Sequence, residues 1–252
     1  MHTGLFYLTL DAFLVISYDF SGKRFALIGV SKGLGFAIAY KLNEAKGEVV
    51  INARNRAKLD NIANQMPNRD LVKAVEGDAT RKEVLDKIRE LSPYDGMVIT
   101  IGGYVEDTVE NPKGLDEMLE NHVKAPVKIL SGLVHDIREG GSIVLVSALR
   151  GIFNALPTQL SYAVAKAGVA KLVEVLASEL LDRGIRVNGI APSAINGDFS
   201  PRRNYGKLRK LGDPSAPPED FADVVLWLLS EGSRWVDGVV IPVDGSFRLK
   251  LR

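Results

Sequence analysis

The sequence predicts a single doubly wound α/β domain, a mostly parallel seven-stranded sheet with helices on both faces. Three observations predict it. From Arg24 onward, short β-branched runs alternate with longer segments of helical period, the pattern of strands joined by helical crossovers. Several of the runs are apolar almost throughout, as strands covered on both faces are. The 252 residues, 46% apolar and 25% charged, suffice for one large core.

The predicted strands are Phe25–Val30, Glu48–Ala53, Leu71–Val75, Met97–Ile101, Ser142–Ser147, Ile185–Ala191 and Val239–Val243. The first, fourth and fifth are the most uniformly apolar. Helical periods occupy 34–46, 56–66, 80–90, 114–138, 160–183 and 219–231, with right-handed crossovers expected between parallel strands. One segment departs from this rhythm. Asn196–Pro218 carries five Lys/Arg and four Pro with little periodicity; a long irregular insertion of that kind is either a disordered loop or a lid over a site. Before the first strand, Leu5–Leu10 and Phe13–Ile16 are hydrophobic but short, and Asp11 divides them. They lack the length of a membrane span, the basic start of a signal peptide and the Lys/Arg face of a surface anchor. Residues 1–20 therefore read as an extension packed on a domain of residues 21–252, or as the product of a start codon assigned too early.

A formal net charge of +1 gives no electrostatic case for nucleic acid or an acidic membrane as partner. The absence of cysteine excludes disulfides, thiolate metal sites and cysteine nucleophiles, and fits a reducing, cytoplasmic setting. The three histidines, His2, His122 and His135, form no metal-ligand spacing, so no metal is expected. His122 follows Asn121 and is either near a site or, the preferred reading, a solvated or capped helix residue.

Two motifs carry chemistry. In Ile28-Gly29-Val30-Ser31-Lys32-Gly33-Leu34-Gly35, Gly29 turns tightly, Gly33 lets the backbone approach a pyrophosphate, and Gly35 lets helix and strand pack closely. The helix start then offers unpaired N–H groups to the anion. The second predicted strand ends in Asn52-Ala53-Arg54-Asn55, without the acid that would hold a ribose 2′-hydroxyl. Arg54, with Lys32 in the turn, suits a 2′-phosphate. Each cation alone also reads as a solvated charge; together they favour NADP(H). The second motif is Tyr162-Ala163-Val164-Ala165-Lys166. A spacing of four puts phenol and ammonium on one helix face, and a nearby ammonium makes the phenol easier to ionise.

With Gly29-x-x-x-Gly33-x-Gly35 and Tyr162-x-x-x-Lys166 stand further pieces, in order along the chain. They are Asp78 in Gly-Asp-Ala-Thr, Asn121 in Glu-Asn-His-Val-Lys-Ala-Pro, Arg186-Val-Asn-Gly-Ile-Ala-Pro192 and Gly238-Val-Val-Ile-Pro-Val-Asp244-Gly245. Together they resemble the short-chain dehydrogenase/reductases, Rossmann-type enzymes, and in particular the 3-oxoacyl-acyl-carrier-protein reductase-like members. The resemblance runs from about Gly22 to Ser246. It implies a hydride transfer between nicotinamide and a small carbonyl or alcohol, on a homo-oligomer, dimer or tetramer. Tyr162 would be the acid/base, Lys166 would bind the nicotinamide ribose, and Asn121 would hold a relay water. Asp78 would contact adenine, and the Ile195 backbone would meet the carboxamide. Ser31, Lys32, Leu34, Arg54, Ala79, Gly102 and Pro192 complete the implied cofactor-binding set with Gly29, Gly33, Gly35, Asp78, Tyr162, Lys166 and Ile195. The C-terminal Phe247–Arg252 would lie at a subunit interface.

Four positions depart from the family pattern. Ile28 stands where Thr is usual, Ile99-Thr100-Ile101-Gly102 replaces Asn-Asn-Ala-Gly, Ser193 follows Pro192, and Ala148 occupies the catalytic serine position. Ser147 is the candidate for the missing serine, but one step along a strand points to the other face, so a structural role is expected of it. Chemistry would survive through Tyr162 and Lys166, more slowly or with a substrate that brings its own donor. A nucleotide-binding sensor or scaffold with weakened catalysis is the alternative. The lid cations Arg202, Arg203, Lys207, Arg209 and Lys210 are either solvated or aimed at an anionic substrate.

Overall fold

A computed structural model describes residues 17–153 and 155–250. The first strand, β1 (Arg24–Ile28), leads through the glycine turn into α1 (Leu34–Glu44), and β2 (Glu48–Ala53) and α2 (Arg56–Asn64) follow. Next come β3 (Val72–Glu76), α3 (Lys82–Arg89) and β4 (Tyr94–Ile99). The predicted helix at 114–138 is broken into α4 (Leu115–Leu119), a π-turn (Glu120–Lys124) and α5 (Ala125–Leu133). Then follow β5 (Ile137–Val146), the short α6 (Leu149–Ile152), the long α7 (Leu160–Leu180) and β6 (Arg186–Pro192). The chain ends through β7 (Ala194–Ile195), β8 (Ser215–Ala216), α8 (Pro218–Leu229) and β9 (Val240–Val243).

The seven-stranded sheet has the order β3-β2-β1-β4-β5-β6-β9, and every pair in it is parallel. Strand alternation divides the core in two. Phe25, Leu27, Val49, Ile51, Val98, Val144 and Ile190 pack with α1, α2 and α8. Ala26, Ile28, Val50, Met97, Ile99, Ile143 and Leu145 pack with α3, α5 and α7. The doubly wound prediction is therefore met. β7 and β8 form a separate parallel pair that the sequence pattern did not announce.

Differences at the element ends have local causes. β1 stops at Ile28, two residues early, because Gly29 takes φ +84 and the Gly29 and Val30 N–H groups donate to the Asn52 carbonyl. β5 starts earlier than Ser142 because a bulge absorbs Gly140, at φ +75, between the Tyr94–Ile137 and Gly96–Ser142 pairings. The core also starts before the expected boundary at residue 21: Phe20 is buried and sets its ring edge-on to Phe25 at 5.1 Å, with Tyr18 stacked on it. The hydrophobic runs at Leu5–Leu10 and Phe13–Ile16 lie outside the described residues. No helix among the described residues is long and apolar enough to cross a membrane.

Candidate active site

The strand order reverses between β1 and β4, and a crevice opens there beyond the carboxyl ends of the strands, where open α/β sheets take ligands. Two cavities, of about 760 and 740 Å³, fill it and share Ser31, Gly33 and Thr100–Gly103 as common wall.

The glycine turn is crowded at two positions and open at a third. A Cβ on Gly29 would lie 2.7 Å from Ile101 Cγ1, and one on Gly35 would lie 3.0 Å from Val30 Cα. Both glycines are needed for close packing. Gly33 has only the Gly197 carbonyl at 3.8 Å, so a large group can approach its backbone. No side chain caps α1, which leaves its first-turn N–H groups available to an anion. The unusual Ile99-Thr100-Ile101 run has a local reason: the Thr100 hydroxyl sits 3.2 Å from the Ile28 carbonyl and 3.1 Å from that of Gly29, tying β4 to the turn.

Arg54, Lys32, Asp78 and Ala79 line the 740 Å³ cavity, together with Lys58. Arg54 is exposed, and the next residue, Asn55, caps α2 by accepting from the Lys58 N–H at 2.9 Å. Lys32 shares its charge with Asp198 at 3.9 Å. Asp78 accepts the Thr80 N–H and hydroxyl, which hold its carboxyl below the usual carboxylate range; it is a turn residue in the cavity wall.

The second cavity is built on α7. Tyr162 and Lys166 both line it, with Gly102, Pro192 and Ile195 opposite. Lys166 is buried, and its Nζ donates to the Val146 carbonyl at 2.8 Å while lying 5.7 Å from the Tyr162 ring centre. The ammonium thus meets a carbonyl and a ring face instead of the phenol oxygen. Burial, with Tyr104 adding to it, pushes Tyr162 up to about 12, and burial brings Lys166 down to about 7. The expected lowering of the tyrosine is absent from this geometry.

Ser147, the serine candidate, lines the Tyr162 cavity beside Ala148. Its buried hydroxyl donates to the Lys166 carbonyl at 2.8 Å, so it ties the end of β5 to α7. Ala148 lines the cavity at the serine position. Gly151 allows α6 to lie directly on α7: a Cβ there would sit 2.6 Å from Lys166 C and Cβ.

The π-turn separates two neighbours. Asn121 lines the 740 Å³ cavity, whereas His122 lines the Tyr162 cavity. His122 is 1% exposed, contrary to the solvated or capped residue expected. Its ring stands edge-on to Tyr162 at 5.8 Å, and its Nε2 is 3.0 Å from the Gly103 carbonyl. Burial, then the Lys166 charge, bring it down to about 4, so it is neutral at pH 7. Tyr104, edge-on to Tyr162 at 5.0 Å, and Gln159 complete this wall. Sequence reasoning missed Tyr104 and Gln159; for His122, its adjacency to Asn121 was the signal.

The irregular Asn196–Pro218 segment is clamped at several points. Phe199 wedges between Phe36 and Tyr40, at 4.9 and 5.2 Å. Arg203 grips buried Glu219 with two bonds of 2.6 and 2.7 Å, and Arg209 grips Asp220. These two cations therefore serve the fold. Phe247, expected at a subunit contact, lines the Tyr162 cavity of its own chain, and Lys250 donates to the Gly212 carbonyl of the same segment. Residues 251–252 lie outside the described residues.

A family model described as enoyl-(acyl carrier protein) reductase matches residues 29–247. The chain belongs to the short-chain dehydrogenase/reductases. Among curated relatives, L-xylulose reductase of Caenorhabditis elegans is 30% identical over 92% of this chain and 98% of its own. The 3-oxoacyl-(acyl-carrier-protein) reductase FabG of Rickettsia felis is 26% identical, over 90% and 97%. Among solved structures, L-sorbose reductase from Gluconobacter frateurii, complexed with NADPH and L-sorbose, superposes with TM-score 0.77 at 25% identity, covering 91% of this chain and 98% of that one. A Serratia marcescens short-chain dehydrogenase/reductase gives TM-score 0.80 at 20% identity, covering 91% and 99%, a likeness of fold. Within this dehydrogenase/reductase family the Ala148 and Ile99-Thr100-Ile101 departures stand as features of this chain.

Proposed function

We propose that this chain is an NADP(H)-dependent oxidoreductase acting on a carbonyl or secondary alcohol, with Tyr162 as acid/base. The observation that carries the reading is the pairing of Tyr162 and Lys166 on one face of α7, in a cavity continuous with the glycine turn. The open space at Gly33 fits a pyrophosphate, and Arg54, Lys32 and Lys58 suit a 2′-phosphate. A structural neighbour that carries NADPH supports the same coenzyme. When bound, the nicotinamide supplies or takes the hydride.

The side chains do the rest. Tyr162 donates its phenol proton to the carbonyl oxygen in reduction and takes it back in oxidation. Lys166, buried in the same cavity, stabilises the phenolate that remains once its Nζ turns from the Val146 carbonyl towards the ribose side. Asn121 lines the cavity that the coenzyme would enter, and Pro192 and Ile195 would hold the nicotinamide. Leu149, Pro214 and Phe247 keep water from the reacting carbon. The sensor alternative is less favoured, because a sensor has no use for a buried acid/base pair facing a second cavity. Residues 21–252, with Tyr18 and Phe20 added to their core, would form the catalytic unit.

The test is NADPH oxidation by wild type and Tyr162→Phe over ketones, aldehydes, 3-oxoacyl thioesters and keto-sugars. Turnover should fall by roughly 10²-fold or more in the variant, with NADPH affinity retained. Equal turnover in both proteins would remove Tyr162 from the chemistry.

A further inference from the structure

The polar wall beside Tyr162 has a direction. Gln159 Nε2 donates to the Tyr104 hydroxyl at 3.2 Å, and that hydroxyl is 3.2 Å from Glu106 Oε1. Since a carboxylate only accepts, the chain of donors runs from Gln159 through Tyr104 to Glu106. It leaves Gln159 Oε1 as an acceptor, and that atom is buried with no partner. His122 ends the same way. Its Nε2 faces a carbonyl, so Nε2 carries the proton and Nδ1 keeps a lone pair. Nδ1 is also buried and unpartnered. Of the three such side-chain atoms among the described residues, two belong to this one cavity wall.

A buried acceptor without a donor costs about 1–3 kcal/mol, and leaving two in one wall calls for a ligand that supplies the donors. Both acceptors are neutral, and no Asp or Glu lines the cavity. The wall therefore matches hydroxyl groups better than an ammonium. A 3-oxoacyl thioester has no O–H or N–H next to its reacting carbonyl, and a simple ketone has none at all. Ala148 adds to the argument: it has no hydroxyl, the neighbouring Ser147 hydroxyl is spent on the Lys166 carbonyl, and a substrate hydroxyl vicinal to the carbonyl supplies a donor. The apolar side, Leu149, Pro214 and Phe247, suits the C–H face of such a molecule.

We propose that the substrate is a polyhydroxylated ketone or its polyol, with Gln159 and His122 accepting hydroxyl protons beside the carbonyl that Tyr162 protonates. The inference rests on the oxidoreductase reading. Both lone pairs lie below the accessible surface, so binding requires a rotation of each side chain that opens them to the cavity.

The experiment compares kcat/KM with NADPH for a five-carbon 2-ketose, for 2-pentanone and for a 3-oxobutanoyl thioester, in wild type, Gln159→Met and Gln159→Glu. A second arm follows the Tm of each protein with NADP+ as xylitol is added. The ketose should lead 2-pentanone by at least about 100-fold in wild type. Gln159→Met should shrink that ratio at least about ten-fold, and Gln159→Glu, which keeps an acceptor, should restore part of it. Xylitol should raise the Tm of wild type more than that of Gln159→Met. Reduction of 2-pentanone or the thioester in preference to the ketose would overturn the substrate class and leave the oxidoreductase reading intact. No turnover with any carbonyl, but a xylitol shift lost in Gln159→Met, would support the ligand class and overturn the catalytic reading. No turnover and no shift would overturn both.

Discussion

At the residue scale, charge and burial decide. Arg54 is exposed in the coenzyme-side cavity, so Arg54→Ala should weaken NADPH about ten-fold and NADH little, a difference that coenzyme fluorescence titration reads directly. Ala148 lines the other cavity without a hydroxyl. Ala148→Ser should raise kcat on ketones that lack hydroxyls, by up to roughly 10²-fold; an unchanged kcat would mean that the serine donor has no place in this site. His122 links stability to pH. Folding lowers it from 6.5 to about 4, so between those values the unfolded chain binds more protons. Stability attributable to His122 is therefore complete above pH 6.5 and is lost as pH falls towards 4, by about 3 kcal/mol. Chemical denaturation across this window should be steeper in pH for wild type than for His122→Phe. Parallel pH profiles would assign the acid sensitivity to other groups.

At the element scale, the critical contact is that of α6 on α7. Gly151→Ala would drive a Cβ into the backbone of Lys166, and overpacking of this kind costs about 2 kcal/mol. Its Tm should fall, and so should activity, since Lys166 moves with its backbone. The same scale explains what was legible beforehand. The strand–helix alternation could be read because a buried strand and an amphipathic helix differ in period. Gly29 and Gly35 could be read because the turn leaves no room for a side chain at either, and Tyr162 with Lys166 because four residues make about one helical turn. The π-turn could not: one added residue between α4 and α5 leaves the apolar pattern nearly continuous, yet it sends Asn121 and His122 to different cavities. Nor could the fate of Arg203 and Arg209. Their partners Glu219 and Asp220 come within reach only after β7 and β8 close the loop between them.

At the scale of the whole molecule, the site draws on residues far apart along the chain. Its walls run from Ser31 to Phe247, and the strands that carry them are joined in parallel throughout. A parallel sheet has no hairpins, so each pairing waits for an intervening helix. During synthesis this has a cost. β1, β2 and β3 can assemble early, but β4 then presents a bare apolar edge until β5 emerges, and β6 until β9. Such edges invite pairing with other chains. The growing polypeptide is thus most vulnerable to aggregation while the segment between β6 and β9 is being made, and its cavity closes only once Phe247 has arrived.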